Sequence, residues 1–208
     1  MRLLRLAIAY ESAMWRSLFR WLLRRPVVDD PAEVPFGSAA TVTPILVAFI
    51  ALSAVEVPIL HLILPWPTVR VISLALGFYG LLWMIGLLAA VRTRPHTVGP
   101  EGLRIRTGMA IDFTLPWDAI EDVRKEYRSL AGGRSVQTID DVLWLAVARQ
   151  TSVDVLLRGP TTVPLGEGRS EPVTIIRCYA DDPQALVAEA RSHLGATPGV
   201  RRVSSDEA

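Results

Sequence analysis

The sequence predicts an α+β membrane protein: an N-terminal amphipathic helix, a two-helix transmembrane hairpin, then a bent antiparallel sheet or partly open barrel closed by a C-terminal helix. Three observations predict it. Residues 45–64 and 71–91 are long apolar stretches separated by six residues. After Arg92 the chain turns to short alternating runs punctuated by Gly, Pro and Asp. Half of the 208 residues are hydrophobic, and the mean hydropathy of +0.33 is too high for an ordinary soluble domain of this length. The corresponding map is 1–25 surface helix, 26–44 linker, 45–91 hairpin, 96–195 sheet domain and 196–208 flexible polar tail.

Residues 1–25 hold six arginines against one acid, Glu11. At about 100° per residue, Arg2, Arg5, Arg16, Arg20 and Arg24 fall within an arc of roughly 100°. Trp15, Leu18 and Trp21 lie opposite, with Leu3, Leu4, Met14 and Leu22. An arginine stripe facing a Trp/Leu surface is the pattern of a helix lying among the headgroups of an anionic leaflet, so the bilayer is an expected partner. Packing of the same helix on the soluble domain is the alternative. Glu11 and Arg16 interrupt what would be the apolar core of a signal peptide. Pro26 ends the helix, because its ring cannot continue the hydrogen-bond ladder.

Each apolar stretch matches the roughly 20 residues a helix needs to cross about 30 Å of hydrocarbon. The connector, residues 65–70, is too short for anything but a tight antiparallel hairpin. The first span carries Glu56, Pro58 and His61; its thirteen Leu, Ile, Val and Phe residues offset these costs by a small margin. Ser73, Gly77 and Gly80 give the second span a small-residue face for close approach. Arginines concentrate before the first span and at Arg92 and Arg94 after the second, whereas the turn holds only Arg70. Positive residues stay on the cytoplasmic side, so both termini are expected there.

In the C-terminal half, Leu103 and Ile105 alternate with Arg104 and Arg106 between Gly102 and Gly108. Further strands are expected at residues 110–115, 120–127, 142–148, 153–158, 161–165 and 173–179. Asp181 or Asp182 can cap a closing helix with Pro183 in its first turn and Gly195 at its end. About seven antiparallel strands and one amphipathic helix describe a bent sheet plugged at one end.

The run GLRIRTG, then LPWDAIEDV, then several strands and a terminal DDPQALVAEA helix, all after two apolar spans, resembles bacterial membrane proteins that carry a pleckstrin-homology-like domain. The resemblance covers roughly residues 45–195 and is most specific over 102–123, with Trp117 and Ile120 as core positions. It implies a bacterial inner-membrane protein and an anchored scaffold without catalytic residues. The arginine-striped N-terminal helix departs from the family picture.

Net charge of +1 argues against a nucleic-acid partner, and one cysteine, Cys178, rules out an internal disulfide or Cys-rich metal site. The chain shows no phosphate-binding glycine loop, HExxH motif or GxSxG elbow, so neither catalysis nor a cofactor is expected. Adjacent Asp140 and Asp141 point to opposite faces if on a strand, and Asp181 and Asp182 sit where helix caps belong. Cys178 reads as a small core residue.

Glu56 and His61 are the strongest candidates, because ionisable groups at membrane depth face a partner, a cavity or a proton path. About 140° separates them on an ideal helix. One hairpin has too few helices to enclose a path, so they are expected to act as hydrogen-bonding glue, within the hairpin or in a homo-oligomer. Arg104, Arg106, Arg124, Lys125 and Arg128 could form an anion- or lipid-binding patch, although residues 96–208 carry 13 basic against 16 acidic groups. The expected function is an anchored module presenting a cytoplasmic domain to protein or lipid; the alternative is a channel or transporter accessory subunit that works through Glu56 and His61.

Overall fold

The structure, a computed structural model, describes Trp15, Leu18, Trp21 and residues 31–196 except 109, 110 and 167. Arg2, Arg5, Arg16 and Arg20 of the expected surface helix lie outside the described residues, as does the expected tail beyond 196. Trp15, Leu18 and Trp21 are helical; the first two are half-buried and Trp21 is exposed.

The chain is α+β. Two helices, α1 (Thr43–Ile63) and α2 (Pro67–Arg92), are long and apolar enough to cross a membrane. Each starts on a proline in its first turn, where the missing N–H costs nothing. Arg70 folds back so that its Nε and one Nη donate to the Leu64 carbonyl at 3.1 and 2.8 Å, closing the end of α1. No residue of α1 is buried; Leu62 is 80% and Ile63 70% exposed. Along α2 the apolar surface is bare until its last turns, where Leu88, Ala89 and Ala90 are buried.

Strands β1 (Val34–Phe36), β2 (His96–Gly99), β3 (Gly102–Thr107) and β4 (Ile111–Leu115) form an antiparallel sheet in that order. The 26–44 stretch, expected to be a linker, therefore contributes a strand. Val34-Pro35-Phe36 is short enough to show no periodicity, and Pro35 is tolerated because β1 is an edge strand. It pairs Val34 with Val98 and Phe36 with His96, bridging the whole helical hairpin.

A single 3₁₀ turn (Trp117–Ala119) leads into the second sheet. Its strands are β5 (Ile120–Ser129), β6 (Val136–Ile139), β7 (Val142–Leu145), β8 (Gln150–Thr161) and β11 (Val173–Cys178), in the order β5-β8-β11-β7-β6. A small hairpin, β9 (Pro164–Leu165) with β10 (Gly168–Arg169), stands apart. All pairs are antiparallel except β7 with β11, which corrects the expected all-antiparallel sheet: β11 inserts between β7 and β8 and runs parallel to β7. Two register shifts in β5 against β8 increase local twist and bend.

Leu103, Ile105, Phe113 and Leu115 from the first sheet meet Val123, Val155 and Ile176 from the second, all below 9% exposed. Helix α3 (Pro183–Ala196) covers this core with Leu186 and Ala190, and Asp182 Oδ1 caps it by accepting the Ala185 N–H at 3.0 Å. Trp117 and Ile120 are buried as expected; the Trp117 indole donates to the Gly99 carbonyl at 3.0 Å and stacks on His193 of α3. Gly102 adopts φ +149°, and a Cβ there would run into the Leu115 carbonyl oxygen. Gly102→Ala is thus expected to destabilise the chain by about 2 kcal/mol or more, read as a lowered thermal midpoint of the detergent-purified protein.

Candidate functional site

The place where the hairpin meets the sheets is held by side chains from both halves of the chain. One short segment, Tyr179 to Asp181 after β11, grips the chain on both sides of the hairpin. On the entry side, the Asp181 N–H donates to the Gly37 carbonyl at 2.8 Å. Its carboxylate accepts the Ala39 and Ala40 N–H groups at 3.0 and 2.8 Å. Thr41 donates its hydroxyl to the Tyr179 phenol at 2.7 Å. On the exit side, His96 Nε2 donates to the Tyr179 carbonyl at 2.8 Å while Nδ1 accepts the Arg106 N–H at 3.1 Å. From β8, the Ser152 hydroxyl bonds both the carbonyl and the N–H of Ala180, at 3.0 and 2.9 Å.

His96 is 1% exposed, and burial pushes its pKa below the usual histidine value despite the Tyr179 carbonyl and the charge of Asp181. The imidazole is neutral with Nε2 protonated. Both ring nitrogens are engaged in structure, so His96 has none left to move a substrate proton.

Beside this clamp lies a cavity of about 390 Å³, walled by Leu87, Ala90 and Val91 of α2, Val42 before α1, and Val136 and Val147 of the sheet domain. Arg94 and Arg106 belong to its lining, and Arg106 is 5% exposed. Arg106 Nε lies 3.5 Å from Asp112, and Arg104 binds the same carboxylate through two contacts at 2.7 and 3.0 Å. Partial burial would raise the Asp112 pKa, but the Arg104 hydrogen bond and the charges of Arg104, Arg106 and Arg94 hold it below the ordinary value. Three guanidinium groups thus act on one carboxylate at this corner.

The remaining expected residues are placed as follows. Arg104 and Arg106 sit on β3, whereas Arg124, Lys125 and Arg128 sit on β5 in the other sheet. Arg106, expected in an anion- or lipid-binding patch, is buried. Arg124 pairs with Asp122 at 2.8 Å, Lys125 lies 5.8 Å from the Tyr127 ring centre, and Arg128 reaches Asp154 at 3.3 Å. Asp154 also pairs with Arg177, whose guanidinium stacks 4.5 Å over Trp144. Asp122 is further bound by Arg191 of α3; partial burial is outweighed by these partners and its carboxyl is held low.

Glu56 is exposed and lines a groove with Ser53, Ser73, Gly77 and Gly80. His61 lies elsewhere on α1, half-buried, its Nδ1 without a hydrogen bond, and it does not line that groove. The structure does not bring the two together. Asp140 and Asp141 are not on a strand: both have positive φ, 47° and 58°, and form the two-residue turn between β6 and β7. Among the described residues no group of three or more His, Cys, Asp or Glu is placed to hold a metal. Cys178 is buried in the core and burial raises its pKa to about 12, so native protein is expected to resist a soluble maleimide that labels it fully after denaturation.

Asp181, Tyr179 and His96 were missed as site residues in the sequence reading. The signal was faint: a histidine five residues after the second span, and a second aspartate where one cap suffices. No family model matches the chain, and comparisons with curated proteins and with solved structures return no match.

Proposed function

We propose that this chain is a membrane-anchored, non-enzymatic binding module of the bacterial inner membrane, with both termini cytoplasmic and a pleckstrin-homology-like sheet domain held against the bilayer. The observation that carries the reading is the surface of the hairpin: no residue of α1 is fully buried, and a soluble protein does not leave two long helices rich in Leu, Ile, Val and Phe mostly exposed to water. The clamp around Tyr179 to Asp181 supports the presenting role, because it fixes the domain's orientation on the helices and so its height above the membrane. Two sheets sealed by α3 support the pleckstrin-homology-like reading, from which the parallel β7–β11 pair departs. Tethering raises local concentration, so weak contacts with lipid or protein suffice for function.

The test is thiol labelling in intact cells on a Cys178→Ala background. Thr68→Cys at the start of α2 is expected to react with an impermeant maleimide from outside, and Gln150→Cys in the domain only after permeabilisation. External labelling of Gln150→Cys, or release of the chain by alkaline carbonate, would overturn the reading.

A second reading concerns the groove at Glu56. A carboxyl exposed on the outside of a two-helix hairpin, with open space at Gly80, supports association with another hairpin of the same chain, the carboxyl serving as glue.

A further inference from the structure

The 390 Å³ cavity stands at one end of the hairpin, where α2 ends and the residue before α1 begins. Its volume falls in the lower part of the range of about 300 to 1,000 Å³ usual for small-molecule sites. The wall is two-natured. Leu87, Ala90, Val91, Val136 and Val147 supply apolar surface, and Arg94 and the buried Arg106 supply positive charge while already donating to the Gly108 and Pro95 carbonyls at 3.3 and 3.5 Å, Arg106 also lying 3.5 Å from Asp112. A small hydrophilic anion would lose its hydration against those apolar walls with little in return. A purely apolar guest would press on guanidinium groups. The guest that meets both surfaces is an amphiphile with an anionic head.

We propose that this cavity takes the phosphate-bearing head and upper acyl segment of one anionic glycerophospholipid from the surrounding leaflet. The inference rests on the membrane-anchored reading, because only then does the cavity open at the height where headgroups meet hydrocarbon. The phosphodiester lies toward Arg94 and Arg106, which keep their contacts to the Gly108 and Pro95 carbonyls and to Asp112 and attract it through their charge. The chains leave along Leu87, Ala90 and Val91 into the bilayer. Val136 and Val147 close the far side, so the bound lipid touches the helix end and the sheet domain at once. Its headgroup thereby becomes part of the joint that the Tyr179 to Asp181 clamp already stiffens.

The test uses the full chain, purified in mild detergent and stripped of lipid, titrated with dioleoyl phosphatidylglycerol or dioleoyl phosphatidylcholine and read by native mass spectrometry. The two lipids share their tails and differ in head charge. One phosphatidylglycerol per chain is expected, bound about tenfold more tightly than phosphatidylcholine. Arg94→Gln with Arg106→Gln should erase that preference, and Val147→Trp, which fills the cavity from a half-buried position, should weaken both lipids. Should the double variant fail to fold, Arg94→Gln alone is expected to cut the preference about threefold. Equal binding of the two lipids to the wild type, an undiminished preference in Arg94→Gln, or displacement of phosphatidylglycerol by millimolar inorganic phosphate would each overturn the proposal; the last would show a free anion as the ligand. Alkaline carbonate extraction of the same proteins reports on the anchor separately, so loss of the lipid site and loss of the membrane reading are told apart.

Discussion

Replacing His96 by alanine is expected to lower stability by about 3 kcal/mol, measured as the midpoint shift in chemical denaturation of the purified chain. The ring joins two elements far apart in sequence, accepting the Arg106 N–H on one nitrogen and donating a hydrogen bond to the Tyr179 carbonyl from the other. Alanine leaves both backbone groups buried without those partners and opens a gap at a position 1% exposed. The wild type should also show a pH dependence of definite sign. His96 has a folded pKa below its unfolded value of about 6.5, so the unfolded chain binds the proton more readily. Its contribution is complete above about pH 6.5 and is lost as pH falls from there through the folded-state value. An acid-side decline that persists unchanged in His96→Ala would show that another group is responsible.

Substituting Glu56 by leucine has opposite effects on two properties. Removing a carboxyl from the middle of the first span should favour insertion by about 3 kcal/mol, visible as a higher inserted fraction in a glycosylation-mapping assay. The same change removes the polar group of the groove, so association of hairpins in detergent should weaken roughly tenfold, about 1.4 kcal/mol, by analytical ultracentrifugation. Glu56→Gln should keep most of the association, since an amide also hydrogen-bonds across helices. Monomeric wild-type protein would remove the second reading, and loss of an ion-linked activity in Glu56→Gln would restore a conducting role to this residue.

The features legible in the sequence were those written in local pattern. Two runs of Leu, Ile and Val told their own length; Leu103 and Ile105 alternated inward as their spacing required; and Asp182 before Pro183 announced the start of α3. What escaped was set by distant partners. Val34 to Phe36 is a strand only because His96 to Val98 lies beside it after the hairpin turns back. β7 pairs with β11 in parallel because β11 displaces β8 as its neighbour, a choice made by the shared core and by no residue in β7 itself. The arginines misled for a related reason. Charge read along a strand says nothing about Asp112 or Asp154, which come opposite only when the sheets form. The clamp at Asp181 was hidden because its work is done on backbone N–H groups, which every residue but proline carries.

The pairing of β1 with β2 makes the helical hairpin an insertion inside a sheet rather than a stalk in front of one. A ribosome therefore emits the first strand, then both apolar helices, before the mate of that strand exists, so the sheet cannot be completed until the helices have been sorted out of the way. Cutting the gene just upstream of His96 would strip a strand from the border of the sheet and expose β2 to promiscuous pairing. A water-soluble version is better made by joining residues 31–41 to 95–196 through a short designed bridge that stands in for the excised helices.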